Sequence, residues 1–273
     1  MRSKRSSSCS RSNCASPAPG SLKPRTDHGG LILRQPARGY RYSLDPFLLA
    51  DFCTPRRGER ILDLGAGVGV VGLLLAKRHP SVRVLGIEIQ ADLARHAAAN
   101  ARANSLEERC RIIRGDLRDA TRFLPPEHFH RVVANPPFRR PGSGAPPPDP
   151  GRAHARQDLT FTLSDLAGTA AALLRFGGVL CAIHLAERLP ELCRALEESG
   201  LAPKKLRLIA PYGTSAPRLC LLSAIKGGRP GLSILPQLVL HEPGGQYTEE
   251  VAAMLRDTDP ERSTRDKKHQ PDK

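Results

Sequence analysis

Residues 60–72 read RILDLGAGVGVVG. A short apolar strand runs straight into glycines at 65, 67 and 69, and the apolar residues resume as the start of a helix. Glycines let a backbone approach a ligand closely, and the open N–H groups of a helix start favour a negative group. Gly67, Gly69 and Gly72 also satisfy G-x-G-x-x-G, with Glu88 about 20 residues on, as in dinucleotide-binding folds. The loop alone does not decide between ligands. Tight strand–helix packing would explain one or two of its glycines but not four in eight residues after an acid.

Outward from this loop, strand and helix patterns alternate. GVVGLLLAKRH (69–79), QADLARHAAANARANS (90–105) and RLPELCRALEESG (188–200) read as helices, as does LSDLAGTAAALLRF (163–176), stopped by Gly177 and Gly178. Strands are expected at 60–66, 82–89, 109–116, 129–137 and 178–186. KKLRLIAPY (204–212) and RLCLLSAIKGG (218–228) follow with no helix between them. Alternating strands and helices imply an α/β fold, Rossmann-like, with a mainly parallel sheet covered on both faces. The count is seven strands, the last two forming an antiparallel edge hairpin.

The chain has 273 residues, a net charge of +15 and 7 cysteines. No apolar run approaches the roughly 20 residues of a membrane span, so a soluble protein is expected. The cysteines are odd in number and form no C-x-x-C pair, which points to free thiols in a reducing, cytoplasmic compartment and to no metal. Residues 1–41 hold nine Lys/Arg against one acid, Asp27, a net of +8. With Lys204, Lys205, Lys226 and Arg229, that arm favours a polyanionic partner, nucleic acid first. The Ser-, Arg- and Pro-rich residues 1–30 lack large apolar residues enough to order, and 257–273 mix charges without apolar period. Three parts are therefore expected: a basic tail (1–30), a folded domain (31–256) and a charged tail (257–273).

Two carboxylates close their strands, Glu88 in LGIEI and Asp116 in IIRGD. In a doubly wound sheet the carboxyl ends of adjacent strands line one crevice. A carboxylate after the second strand suits a ribose diol, and one after the third suits the amino edge of an adenine. The fourth strand ends in Asn135-Pro136-Pro137-Phe138, for which NAD chemistry has no use. Transfer to a planar nitrogen does have one. Its lone pair is delocalised, and two acceptors aimed at its two N–H bonds favour the localised, more tetrahedral form. The Asn135 side chain and the Pro136 backbone offer such carbonyls, held stiff because proline fixes φ and restricts the residue before it. Phe138 offers a face on which an extruded base can stack.

These segments resemble the class I S-adenosylmethionine-dependent methyltransferases that carry N-P-P-[FY]. Within them the chain is most similar to bacterial tRNA adenine-N6-methyltransferases that modify the adenosine beside the valine anticodon. The resemblance runs from about Arg38 to Arg256. Beside the glycine loop and VVANPPF it rests on GYRYSLDPFLLADF, GIEIQ, GDLRD, ARQDL, LAPKKLRLIAPY, IKGGRPGLSILPQLVLHE and QYTEEV. It implies that Gly65, Gly67 and Gly69 cradle the methionine part of S-adenosylmethionine, with Asp63 beside its ammonium. Glu88 would bind the ribose hydroxyls, and Asp116 with Leu117 the adenine. Ser43 and Asp45 would close over the methionine end, and Asn135, Pro136, Pro137 and Phe138 would hold the target base. The family often has ARHE where this chain has ARQD at 155–158, and Tyr where it has Phe138.

The expectation is a cytoplasmic, monomeric, metal-free enzyme that methylates an adenine in tRNA without a membrane partner. The alternatives keep the chemistry and change the acceptor, to guanine N2 of rRNA or the glutamine amide of a release factor. A non-catalytic RNA-binding protein of the same fold is the rival of another class.

Overall fold

The computed structural model describes residues 25–26, 30–36, 43–137 and 161–256. Most of both expected tails, Phe138 and residues 155–158 lie outside them. A two-stranded ribbon, β1 (Arg25–Thr26) antiparallel to β2 (Ile32–Leu33), opens the fold. Then come α1 (Asp45–Phe52), β3 (Arg60–Leu64), α2 (Val70–Arg78), β4 (Arg83–Glu88), α3 (Ala91–Ala103) and β5 (Cys110–Arg114). A single 3-10 turn (Leu117–Asp119) leads into α4 (Ala120–Phe123) and β6 (Phe129–Ala134). The second half runs α5 (Leu163–Leu173), β7 (Leu174–Leu185), α6 (Leu189–Glu198), β8 (Leu201–Ala210), β9 (Leu219–Lys226), β10 (Ser233–Ile234), β11 (Leu238–Val239) and α7 (Glu249–Leu255).

The main sheet is ordered β5-β4-β3-β6-β7-β9-β8, with β10 and β11 pairing parallel along the outer edge of β8. Only β9 runs antiparallel to its neighbours. The seven long strands match the sequence reading. β8 and β9 form the expected antiparallel hairpin on that side of the sheet, and the two-residue strands β10 and β11 raise the sheet to nine. Within the hairpin β9 turns back into the gap between β7 and β8 and bonds to both, so β8 lies outside β9 and runs with the parallel strands.

Alternation along the central strands divides the core. Ile61, Val133 and Cys181 point into a cluster with α1, α2, α3 and α7, while Leu62, Val132 and Leu180 point into one with α4, α5 and α6. Strands buried on both faces read as continuous apolar runs, which is why RILDL and HRVVA lack a polar face. Helix α5 stops at Leu173, three residues before the expected end. Gly177 and Gly178 lie instead within an irregularity of β7, where Phe129 and Arg131 of β6 pair with Leu174 and Val179. A Cβ on Gly178 would come within 2.8 Å of the Arg175 carbonyl oxygen, so no side chain fits there.

Candidate active site

Register brings the candidate residues together. Leu64 pairs with Ala134 on one side and Ile87 on the other, and Glu88 pairs with Arg114. The chain therefore leaves four adjacent parallel strands at one level, through Gly65, Glu88, Gly115-Asp116 and Asn135. The strands stand about 4.8 Å apart, so these ends form one row. A cavity of about 480 Å³ opens there, lined among others by Ser43, Asp45, Gly65, Gly67, Glu88, Asp116, Leu117, Asn135, Pro136 and Pro137.

The glycine loop is shaped by backbone conformation. Gly65 (φ 76°) and Gly69 (φ 87°) adopt the left-handed region that L side chains avoid, and Gly69 caps α2. Under the loop lies the Glu88 carboxylate. One oxygen accepts the Gly67 N–H and the other the Gln90 N–H, both at 2.8 Å. Burial raises its pKa, and those N–H groups oppose the rise. Each oxygen keeps a second lone pair, so the carboxylate can still accept from two vicinal hydroxyls. That fits the ribose of S-adenosylmethionine.

Asp116 starts the 3-10 turn by accepting the Arg118 N–H at 2.9 Å, and the Arg118 guanidinium pairs with both of its oxygens. Those hydrogen bonds hold its pKa below the ordinary value. The Leu117 carbonyl is fixed by the Thr169 hydroxyl of α5 at 3.1 Å. Also on the wall, burial raises the Asp45 pKa, and a side-chain hydrogen bond with Ser43 opposes the rise; the Ser43 hydroxyl also accepts the Asp45 N–H at 3.4 Å.

Two of the expected residues are not on the wall. The Asp63 carboxylate is 2% exposed and accepts the Gly72 N–H at 3.2 Å, so it braces the loop from beneath. Burial pushes its pKa up to about 7. Gly69 is taken up in the helix cap and packs toward Ala97. The wall also includes Ile87, Ile89, Gln90, Leu93, Gly115, Arg118 and Phe161, which the sequence reading did not single out. Most of these adjoin a strand end, and that adjacency was the available signal. Phe161 comes from far along the chain. It is set by a capping box in which Thr162 and Asp165 exchange side-chain-to-backbone hydrogen bonds at 2.8 and 3.0 Å. The motif T-x-x-D was there to be read.

The basic residues near the end of the chain do not face this crevice. Lys204 and Lys205 lie toward the amino end of β8, and Lys226 ends the antiparallel β9, so all three sit at the opposite edge of the sheet. Lys226 is also paired with Glu127 at 2.9 Å.

Comparison with known proteins agrees with this arrangement. Residues 45–145 match the model of the methyltransferase small domain. A tRNA1(Val) (adenine(37)-N6)-methyltransferase of Porphyromonas gingivalis is 32% identical over 201 residues, covering 72% of this chain and 78% of that one. One of the same name from Tolumonas auensis is 29% identical, covering 77% and 86%. Among solved structures, a predicted O-methyltransferase of Agrobacterium tumefaciens superposes with a TM-score of 0.64 at 27% identity, covering 77% of this chain and 94% of that one. Identity at this level extends well beyond the glycine loop and takes in both halves of the sheet, and on that ground this chain belongs to the tRNA1(Val) (adenine(37)-N6)-methyltransferase family.

Proposed function

We propose that this protein transfers a methyl group from S-adenosylmethionine to the exocyclic N6 of an adenine in tRNA, at adenosine 37 beside the valine anticodon, as its relatives' names describe. The observation that carries the reading is Asn135-Pro136-Pro137 leaving β6 in register with the glycine loop, on the wall of one cavity. When bound, S-adenosylmethionine supplies a methyl group activated by a positively charged sulfur. The chain's own part is to hold and orient. Glu88 takes the ribose diol, Asp116 and Leu117 take the adenine edge, and Gly65, Gly67, Ser43 and Asp45 surround the methionine end. Asp63 and Gly69 act on that loop from behind. The Asn135 side-chain carbonyl and the Pro136 backbone carbonyl accept the two hydrogens of N6 and keep its lone pair directed at the methyl carbon. Phe138 and Phe161 offer ring faces to the extruded base.

In this reading the methyltransferase domain is 31–256, with a basic tail at 1–30 and a charged tail at 257–273. The enzyme works as a monomer in the cytoplasm, without a metal. Among the described residues no helix is long and apolar enough to cross a membrane. Labelled S-adenosylmethionine, offered with total tRNA, rRNA and a release factor in parallel, tests the acceptor. Label in tRNA alone is expected; label only in rRNA or the release factor refutes it.

A further inference from the structure

Three aromatic rings that the crevice does not use gather on the same edge of the sheet. Tyr212 follows the carboxyl end of β8, and His241 follows that of β11, which pairs parallel to β8. Tyr247 joins His241 through an isolated antiparallel bridge. The His241 and Tyr247 rings stack at 5.0 Å and 20°, and Tyr212 lies 5.6 Å from His241 at 40°. The support is rigid. His241 donates its backbone N–H to the Pro211 carbonyl at 2.9 Å, and its Nδ1–H meets the Gly245 carbonyl at 3.1 Å. Yet Tyr212 is 41% and Tyr247 40% exposed. A stack held in place and left open to solvent offers aromatic surface to a partner.

Its place in the sheet gives it a partner. β8 is parallel to β6, so the stack and Asn135 share an edge. The order β6-β7-β9-β8 puts three strand spacings between them, about 14 Å. Arg218 stands within that gap, immediately before β9. Its N–H is bonded to the Ile209 carbonyl and its carbonyl to the Ala186 N–H, both at 2.9 Å. The Arg218 side chain is exposed and forms no ion pair with a described residue. By contrast, Arg207 is neutralised by Glu250 at 2.6 Å.

We infer that Tyr212, His241 and Tyr247, with Arg218, form a docking surface for an unpaired stretch of the substrate RNA that flanks the target adenine. Bases extend the ring stack, and Arg218 holds a phosphate between the stack and the crevice. Ring faces beside an uncompensated cation suit single-stranded nucleic acid, since every base offers a π-face and every linkage a charge. An acidic peptide would use the cation and leave the rings idle. The inference rests on RNA being the acceptor.

The test is methyl transfer to tRNA by the full chain at saturating S-adenosylmethionine, for wild type, Tyr212→Ala/Tyr247→Ala and Arg218→Ala. The double variant is expected to raise KM for tRNA by at least about 5-fold, from the usual worth of base–aromatic stacking. Cofactor affinity and the single-turnover rate at saturating tRNA should be unchanged. Tyr212→Phe/Tyr247→Phe should restore KM, whereas Tyr212→Leu/Tyr247→Leu, which keeps apolar bulk without a ring, should not. Arg218→Ala should lower the slope of log affinity against log salt by about 0.7–0.9. If the alanine pair destabilises the loop, Arg218→Ala and the Phe-against-Leu contrast still decide. An unchanged KM, or Leu serving as well as Phe, overturns the inference while wild-type activity leaves the acceptor reading standing. A wild-type enzyme that methylates no RNA overturns both.

Discussion

Single residues of the crevice are held in place by burial and by strand register. In the proposed mechanism the Asn135 carbonyl, at the end of β6 on the cavity wall, acts where charge develops on the attacking nitrogen. Removing one such preorganised group costs on the order of 10²–10³ in turnover. Asn135→Ala should therefore lower the single-turnover rate by about that factor and leave cofactor binding intact, as calorimetry would show. A rate equal to wild type would reduce the motif to a turn. Asp63 supplies a second test. Its carboxyl titrates near 7 when folded, against an ordinary value of 3.8. The folded chain thus keeps a proton that the unfolded chain loses. The stability held in that proton is fully present below about pH 4 and is lost as pH rises through 7. Asp63→Asn can accept the Gly72 N–H with no charge to bury. Its stability relative to wild type should climb with pH, by up to roughly 1.4 kcal/mol per unit between pH 4 and 7, and level off above. Denaturant melts that stay parallel across this range would contradict it. The residues that line the cavity from strand ends were legible because glycine, carboxylate and Asn-Pro-Pro each mark where a strand stops. The burial of Asp63 was not, since the sequence places it one residue inside its strand without saying what covers that face.

At the scale of elements, the site depends on how the chain before α1 is tied down. Asn100 of α3 and Asn104, the residue that caps it, stand about one turn apart, and each grips a backbone unit of the segment at β2. The Asn100 side chain accepts the Arg34 N–H at 2.8 Å and donates to the carbonyls of Arg34 and Val68, both at 2.9 Å. Asn104 accepts the Ile32 N–H and donates to the Ile32 carbonyl, both at 2.8 Å. The match is geometric: four helical residues rise about 6 Å, and two strand residues about 6.6 Å. Since Val68 belongs to the glycine loop, Asn100 couples that loop to the amino-terminal ribbon. Asn100→Ala leaves a buried acceptor and a peptide unit unpaired, and should cost about 1–3 kcal/mol in denaturant melts. A loss below about half a kcal/mol would show that water replaces it freely. Such a ladder was hidden in the sequence, because asparagines in an Ala-rich helix carry no sign of what they meet. Helix α1 was missed for a related reason: Pro46, Phe47, Leu48, Leu49 and Ala50 are all buried, so no polar face gives it a period. The four-residue α4 is too short to show one.

At the scale of the whole molecule, charge and topology decide how RNA is met. The parallel core and the crevice at its carboxyl edge follow from alternation of strands and helices, and the sequence carried that pattern plainly, whereas the strand order was visible only in the structure. Which edge a lysine occupies depends on strand direction, which alternation alone does not give: β9 reverses, and Lys226 goes to the far side. In the proposed function the basic arm and the crevice edge supply cations that meet phosphate. Removing residues 1–30 should flatten the salt dependence of tRNA binding by about 0.7–0.9 in log–log slope for each phosphate no longer neutralised, while Lys226→Ala should not change it. A full slope in the truncated protein would make the arm a solubiliser only.

In the proposed function the crevice at the ends of β3 to β6 methylates N6 of an adenine in tRNA. Nucleoside mass spectrometry of tRNA1(Val) incubated with the full chain and S-adenosylmethionine tests it most directly. N6-methyladenosine is expected, confined to the fragment that carries position 37 and nearly abolished in Asn135→Ala. N2-methylguanosine in its place, or unmodified tRNA beside a methylated release factor, would contradict it.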